Sequence, residues 1–247
     1  MPTWMGLGFQ DSGSPFFSFI SYLHDHVMMI MLVVVVFISY LLMVLLINNS
    51  FYKFFSESTL VETIWSVVPA FLLMVLVLPS MQILYMMEDI KSPSYTFKVV
   101  AHQWYWTYVS PLWGNFYFLS DKAMHTYSEV DSMLESTSMF PRLLGSTSSL
   151  YVPVGLTSRF LVTSTDVIHS FALPSMALKV DAMPGRMNQI FIFPMRCGIF
   201  FGQCSEICGS NHSFMPISLK VVSHSNFLEN MTSVLLNDVL NLSHLKL

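Results

Sequence analysis

Residues 27–47 read VMMIMLVVVVFISYLLMVLLI, a stretch without a single charged side chain. At about 1.5 Å of rise per residue, such a helix crosses the roughly 30 Å hydrocarbon core of a bilayer. Residues 64–87, IWSVVPAFLLMVLVLPSMQILYMM, form a second uncharged stretch of the same kind. A buried helix of a large soluble protein is the alternative, but two such stretches so close together favour a membrane. The pattern predicts a transmembrane helical hairpin over 27–87 in a lipid bilayer, after an N-terminal segment, 1–26.

The composition of the whole chain agrees with a membrane protein. Only 11% of its 247 residues are charged and 53% are hydrophobic, whereas roughly 25% are charged in a typical soluble domain. The 11 basic and 15 acidic residues form no basic run, so we expect no nucleic-acid partner. Three cysteines are too few for a disulfide framework, and their clustering indicates a site.

From residue 92 onward the sequence changes to short β-branched and aromatic stretches separated by Gly, Pro and Ser. Examples are TFKVVAHQWYWTYV, SRFLVTST, QIFIF, GIFFGQ and ISLKVV. Short strands with turn signals predict an all-β sandwich or barrel over 92–224. The tail, 225–247, has Leu and Val at helical spacing, which predicts a short amphipathic helix or a segment that packs on a partner.

The HQWYW motif in the first of these stretches is interpreted as part of one continuous strand. Side chains alternate along a strand, so His102, Trp104 and Trp106 would share one face, and Gln103 and Tyr105 the other. An aromatic core is the plain interpretation of such a motif, and we favour it for Trp106.

Residues 202–216, GQCSEICGSNHSFMP, bring thiol, imidazole and thioether groups together at Cys204, Cys208, His212 and Met215. These ligand types together select copper, whereas zinc prefers four Cys or His ligands and leaves Met215 without a role. A blue single-copper site uses one thiolate, fewer than this loop holds. Two thiolates spaced in this way are able to bridge two copper ions, an arrangement that uses both cysteines.

Two copper ions need a second imidazole and a further weak donor. His169, in STDVIHSFALPS, is the best imidazole candidate because it follows a predicted strand where a domain-end loop would begin. The backbone carbonyl of Glu206, between the two cysteines, is placed to be an axial donor. A disulfide within the loop, a hydrogen-bonded core role for His169, and a glycosylation acceptor at 211–213 are the alternatives. Cys197 matches no ligand position and is interpreted as a buried thiol.

The same motifs carry a family resemblance. The run GQCSEICGSNHSFMP, with DVIHSFALPS, LKVDAMPGRMNQ and AHQWYWTY, resembles subunit II of mitochondrial-type cytochrome c oxidase. VETIW and LPSMQILYMM in the second apolar stretch, and LGFQDSGSPF with HDH before the first, are similar to that family too. The resemblance runs from about residue 6 to about residue 222 and is poor between residues 109 and 141.

The resemblance implies a transmembrane hairpin followed by a cupredoxin-like β-sandwich. It implies electron transfer from cytochrome c to haem in the oxidase large subunit, where oxygen is reduced to water with proton pumping, in a complex with other oxidase subunits. It implies a dinuclear copper centre with the ligands His169, Cys204, Glu206, Cys208, His212 and Met215. The Glu206 side chain matches a ligand to magnesium shared with the large subunit. Trp104 matches an exposed residue at which electrons arrive, with Gln103 and Tyr105 at the cytochrome c contact.

Glu62 lies three residues after Thr59, a spacing typical of a capping box at the start of a helix. Capping alone would account for both residues. The resemblance adds a second role, because it places Glu62 at the entrance of a proton path into the large subunit.

The chain departs from the family in its acidic residues. The family usually carries them shortly after the aromatic motif, whereas residues 109–119 here read VSPLWGNFYFL, without Asp or Glu. The remaining candidates to attract the lysines of cytochrome c are Asp166, the group Glu129, Asp131 and Glu135, and partner subunits. We therefore expect weak electrostatic steering by this subunit.

The mitochondrial-type opening, without a recognisable targeting peptide, implies a multi-pass protein of the mitochondrial inner membrane with its β-domain in the intermembrane space. A bacterial plasma membrane is the alternative. Two other functions stay open on the residues. A membrane-anchored copper-delivery protein would hold one exchangeable copper ion, and a structural subunit of a quinol oxidase would lack the copper ligands.

Overall fold

The computed structural model of the chain describes residues 7–48, 54, 56–88, 92–111, 127–136 and 140–233. The chain divides into two compact units, one formed by residues 1–17 together with 90–247, and the other by residues 18–89.

Two long apolar helices occupy the first part of the chain. Helix α1 runs over Pro15–Ile47 and helix α2 over Thr59–Glu88. Both are long and apolar enough to cross a membrane, and their large apolar side chains are mostly exposed. The 33 residues of α1 correspond to about 50 Å of helix, so α1 exceeds the uncharged stretch and begins well before Val27. The predicted reversal between the helices falls largely on 49–55, of which only residue 54 is described.

The first turn of α1 explains why the helix begins where it does. Pro15 stands at the first helical position, where its missing N–H costs nothing. Ser14 precedes it, and its hydroxyl accepts a hydrogen bond from the Phe17 N–H at 3.3 Å, which is the bond made by an N-capping serine.

Within the described residues, the unit formed by residues 1–17 and 90–247 contains ten strands. They are β1 (Tyr95–His102), β2 (Tyr105–Pro111), β3 (Tyr127–Ser132), β4 (Leu150–Pro153), β5 (Ser158–Ser164), β6 (His169–Leu173), β7 (Leu178–Ala182), β8 (Asn188–Ile192), β9 (Gly198–Cys204) and β10 (Pro216–Val222). One sheet has the order β3-β2-β1-β5-β8 and the other β4-β10-β9-β6-β7. Short 3-10 turns lie at Pro174–Met176 and His212–Phe214. The predicted β-sandwich is thus confirmed.

The two sheets enclose one core. Burial alternates strictly along β5, as expected for a strand with one face toward the core. Phe97, Phe160 and Phe171 are fully buried and pack edge to face, with ring centroids 5.7 and 6.1 Å apart along that series. Trp106 packs edge to face on Phe171 at 5.3 Å. The aromatic core therefore extends to the end of the sandwich at which His169 begins β6.

The interpretation of HQWYW as one continuous strand is wrong. Strand β1 ends at His102, β2 begins at Tyr105, and these two residues pair across a two-residue turn. Their rings stack at 4.6 Å with an interplanar angle of 7°. Trp104 therefore lies in the turn, and Trp106 faces the core with no exposed surface. The core role predicted for Trp106 is confirmed.

Segments near both ends of the chain pack on the β-sandwich. Toward the N-terminus, the Gly13 N–H donates to the Ser175 carbonyl and the Gly13 carbonyl accepts from the Met195 N–H, both at 2.8 Å. Toward the C-terminus, residues 224–233 form helix α3. Its Phe227 and Met231 are buried in the core, which agrees with the predicted amphipathic helix.

Candidate metal centre

Sulfur and imidazole groups meet at one end of the sandwich. The Sγ atoms of Cys204 and Cys208 lie 3.9 Å apart. His169 Nδ1 lies 3.9 Å from Cys204 Sγ, and one ligand atom from each of these three residues falls within 4.8 Å of the other two. His212 Nδ1 and Met215 Sδ each lie 3.6 Å from Cys208 Sγ. The structure thus brings together the two thiols, both imidazoles and the thioether that the sequence singled out.

The sixth predicted donor is part of the same cluster. The backbone carbonyl oxygen of Glu206 lies 3.3 Å from Cys204 Sγ. Glu206 itself is exposed. One residue therefore offers a main-chain oxygen to the cluster and a side chain to the outside of the domain.

Strand ends position the cluster. His169 opens β6, Cys204 closes β9, and the two strands are antiparallel neighbours, with Phe171 opposite Cys204. Met215 directly precedes β10, which pairs with the other edge of β9. Three adjacent strands thus fix the backbones of His169, Cys204 and Met215, whereas Cys208 and His212 lie in the loop between β9 and β10.

The cluster is nearly closed to solvent. His169 has no exposed surface, and Cys204, Cys208 and Met215 are 7%, 4% and 1% exposed. His212 is half-buried. Both cysteines are free thiols, and their sulfur separation far exceeds the roughly 2.05 Å of a disulfide bond. The disulfide alternative is therefore not what the structure contains.

The two thiols differ sharply in acidity. Burial raises the pKa of Cys204, but hydrogen bonding to His169 and to the Ser170 backbone outweighs it and lowers that pKa to about 6. Burial and the neighbouring Cys204 charge raise the pKa of Cys208 to about 12. Two thiolates this close repel each other unless a cation lies between them. The donor set of thiolate, imidazole and thioether fits copper as that cation.

Asp166 and Gln103 support the cluster from outside. One Asp166 carboxylate oxygen lies 2.9 Å from His169 Nε2, and the other accepts the Gln103 backbone N–H at 2.6 Å. The Gln103 side-chain amide donates to the Cys208 carbonyl at 2.8 Å. Burial raises the pKa of Asp166, but hydrogen bonds led by that from His169 outweigh it and lower the pKa below its ordinary value. On the sequence alone, Asp166 is only a candidate for steering, although its position three residues before His169 is a usable signal.

Trp104 and Trp106 contact the metal-site loop, residues 204–215, in two different ways. The Trp106 indole N–H donates to the Met215 carbonyl at 3.3 Å inside the core. Trp104 is only half-buried and lies over Gly209, where an added Cβ would stand 3.0 Å from the Trp104 ring. Trp104, expected from the sequence to be exposed, is therefore only partly exposed, because its ring packs on the loop that carries the cysteines.

Two further predictions need correction. Cys197 is exposed, not buried, because it lies in the loop before β9 and not on a core-facing strand position. Thr59 is not the cap of α2, because the first backbone bond of that helix runs from the Glu62 N–H to the Ser58 carbonyl. Ser58 is therefore the capping position, and Glu62 is exposed one residue beyond the capping-box site.

The fold and the sulfur cluster together define a membrane-anchored copper protein with a cupredoxin-like domain. The chain matches the family described as cytochrome C oxidase subunit II over residues 2–83 for its transmembrane domain and over 95–222 for its periplasmic domain. It belongs to the cytochrome c oxidase subunit II family, whose members bind copper. It is therefore an electron-transfer subunit of a terminal oxidase, a proton-pumping oxidoreductase with several subunits.

Individual relatives agree with this assignment along nearly the whole chain. Cytochrome c oxidase subunit 2 of Sympetrum striolatum is 39% identical over 235 residues, covering 94% of this chain and 99% of the relative. The same subunit of Drosophila yakuba is 40% identical over 233 residues, with the same coverage. The periplasmic domain of cytochrome oxidase subunit II from Bradyrhizobium japonicum superposes with a TM-score of 0.50 at 38% identity, over 58% of this chain and 95% of that one.

Proposed function

We propose that the sulfur cluster is a dinuclear copper centre that receives electrons from cytochrome c. The ligands would be His169, Cys204, the carbonyl of Glu206, Cys208, His212 and Met215. The observation that carries this proposal is the pair of buried Sγ atoms 3.9 Å apart, with one imidazole and one weak donor beside the pair at each side. Two copper ions bound there supply a one-electron redox site whose charge is shared between them.

The residues of this chain hold that site rigid and dry. Three paired strands fix His169, Cys204 and Met215, so their donor atoms move little when the charge of the site changes. Their burial excludes water. Small changes of geometry between two redox states favour fast electron transfer at low driving force.

Trp104 is the proposed point at which electrons arrive from cytochrome c, with Gln103 and Tyr105 at the contact. Trp104 is half-exposed, and its ring lies over Gly209, next to the ligand Cys208. A π-system that contacts both solvent and the ligand loop suits this task. From the proposed copper centre, electrons would continue to haem in the large subunit.

Two glutamates have proposed roles toward the large subunit. The exposed Glu206 side chain would bind magnesium at the subunit boundary, while its carbonyl faces the thiols. Glu62 would stand at the entrance of a proton path, and its exposure at the start of α2 agrees with contact to a partner. We place the chain in the mitochondrial inner membrane, with the β-domain in the intermembrane space.

Metal analysis and electron paramagnetic resonance of the purified oxidase complex test the copper proposal. We expect two copper ions in this subunit and a mixed-valence signal from one unpaired electron shared by both. A single copper ion in this subunit, or none, would overturn the proposal of a dinuclear centre. Zinc at the site would also overturn the proposal.

Replacement of Trp104 by Phe tests the route of electrons. We expect the oxidation rate of cytochrome c to fall strongly while the copper signal of the complex stays unchanged. The matched control is Tyr127→Phe, which alters an exposed aromatic residue on β3, outside the turn at residues 103–104. Equal effects of the two substitutions would rule out a special role for Trp104.

A further inference from the structure

We propose that Asp166 is a positioning residue that ties the turn carrying Trp104 to the copper ligand His169. The inference rests on the copper centre proposed above and adds a residue outside its ligand set. One carboxylate then fixes both the orientation of the His169 ring and the place where electrons arrive.

The Asp166 carboxylate contacts residues of three neighbouring structural elements. Its carboxylate accepts hydrogen bonds from His169 Nε2 at 2.9 Å, from the Gln103 N–H at 2.6 Å and from the Ser164 hydroxyl at 3.1 Å. It also accepts the N–H of Val167 at 2.6 Å. These donors come from the β1–β2 turn, the end of β5 and the start of β6, so a single side chain joins three elements.

The chemistry of a carboxylate fixes the tautomer of His169. A carboxylate only accepts hydrogen bonds, so Nε2 of His169 must carry the proton in this contact. In the neutral ring the lone pair is then on Nδ1, the nitrogen that faces Cys204 Sγ at 3.9 Å. A carboxylate behind a metal-bound histidine orients the ring and strengthens it as a ligand. Asp166 thus selects the nitrogen that the copper centre needs.

The same carboxylate holds the turn. Residues 103 and 104 form a two-residue turn without Gly, Asn or Pro, and the Gln103 N–H is bound by Asp166. The Gln103 side chain continues the connection to the carbonyl of Cys208 at 2.8 Å. Loss of the carboxylate therefore acts on His169 directly and on the position of Trp104 through the turn.

Asp166→Asn in the assembled oxidase tests this inference, because the amide keeps the shape but accepts fewer hydrogen bonds. The matched control is Asp131→Asn, an exposed carboxylate on β3 whose hydrogen bond comes from the Thr107 hydroxyl. For Asp166→Asn we expect an altered copper signal and a loss of about 10- to 100-fold in copper retention against a chelator, the usual cost of an outer-shell partner. For Asp131→Asn we expect neither.

Rates measured at different ionic strengths distinguish a positioning role of Asp166 from electrostatic attraction of cytochrome c. At high salt, long-range steering by exposed carboxylates is screened, so both variants would match the wild type if each acted by charge alone. We expect Asp166→Asn to remain slower than Asp131→Asn at high salt. Identical copper signals, chelator resistance and high-salt rates for the two variants would overturn the inference.

A milder variant keeps the test decisive if Asp166→Asn does not assemble. Ser164→Ala removes a hydroxyl that lies 3.1 Å from the Asp166 carboxylate and 2.5 Å from the Val167 carbonyl, and it leaves the carboxylate in place. We expect the same changes in smaller degree, and an unchanged copper signal in that variant would overturn the inference. A wild-type complex without two copper ions would refute the proposed function itself, a result distinct from failure of the Asp166 role.

Discussion

The metal-site loop and the start of helix α2 both carry residues with a proposed function. Only in the metal-site region do those residues contact one another within this chain. Cys204, Cys208 and His169 are buried, and their donor atoms face one another. Glu62 is exposed on its helix, and within the part of the chain that the structure describes its carboxylate makes no hydrogen bond. The proposed metal site is assembled by this fold alone, whereas the role proposed for Glu62 would need neighbouring subunits.

The difference follows from how each segment is stabilised. The metal-site loop is held by strand pairing and by contacts from residues far along the chain, such as Gln103. The start of α2 is held by bonds within four residues, such as Thr63 to the Thr59 carbonyl and Ser66 to the Glu62 carbonyl. Substitutions should therefore damage the two regions in different ways.

The largest effect is expected from Cys208→Ser, because it removes a buried thiol of the proposed copper centre that also lies next to His212 and Met215. We expect loss of the mixed-valence signal and a fall in cytochrome c oxidation beyond the about 10- to 100-fold typical of outer-shell losses. The matched control is Cys197→Ser, which alters an exposed thiol outside the cluster. A normal copper signal in Cys208→Ser would show that the metal-site loop is no more sensitive to substitution than the start of α2.

The next effect is expected from Gly202→Ala in β9. A Cβ at this position would lie 1.9 Å from the Ala172 carbonyl oxygen, so the paired strands β6 and β9 must move apart. Forced overpacking of this kind costs about 1–3 kcal/mol or more, and each of the two strands has a proposed copper ligand at one end. We expect a lower unfolding temperature of the complex and weaker copper retention. Gly8→Ala, with no atom within 4 Å of the added Cβ, is the control.

Glu62→Gln should have a smaller and different effect. The substitution keeps the backbone bond to Ser58, which needs no carboxylate. We expect turnover to slow several-fold while the copper signal and the subunit composition stay normal. The exposed Glu57→Gln serves as the control. Unchanged turnover in an intact complex would remove the proton role, and a lost copper signal would show that the two regions are not independent.

The sequence is most informative where chemistry is concentrated in one stretch. Five of the six predicted ligands lie within residues 202–216, and their ligand types alone favour copper over zinc. The long uncharged stretches predict the helices, and the short β-branched stretches predict the strands. Both predictions are direct because the length and periodicity of apolar residues indicate which side chains are buried. His169 can be predicted because it follows a strong strand signal.

The turn at residues 103–104 could not be predicted from local sequence. It has no Gly, Pro or Asn, and distant groups stabilise it, namely the Asp166 carboxylate and the Cys208 carbonyl. The exposure of Cys197 and the capping position of α2 escape prediction for a related reason. Each depends on where a strand or a helix begins to within one or two residues, which local patterns do not fix.

The smallest effect is expected from the acidic residues of the β-domain. Glu129 and Asp131 are exposed on edge strand β3, and Glu135 follows that strand. Neutralising all three should change the salt dependence of cytochrome c oxidation only slightly. We also expect this dependence to be shallower than in family members with acidic residues after the aromatic motif.

The physical reason is that steering scales with the charge that faces the partner and is screened within about 8–10 Å at ordinary salt. Of the three, Asp131 already accepts a hydrogen bond from the Thr107 hydroxyl at 2.8 Å, which turns part of its charge toward the sheet. Rates measured from low to high ionic strength decide the question. A steep salt dependence that disappears in the triple variant would mean that this subunit itself supplies the attraction. This chain would then supply the charges that attract cytochrome c as well as the residues of the proposed metal site.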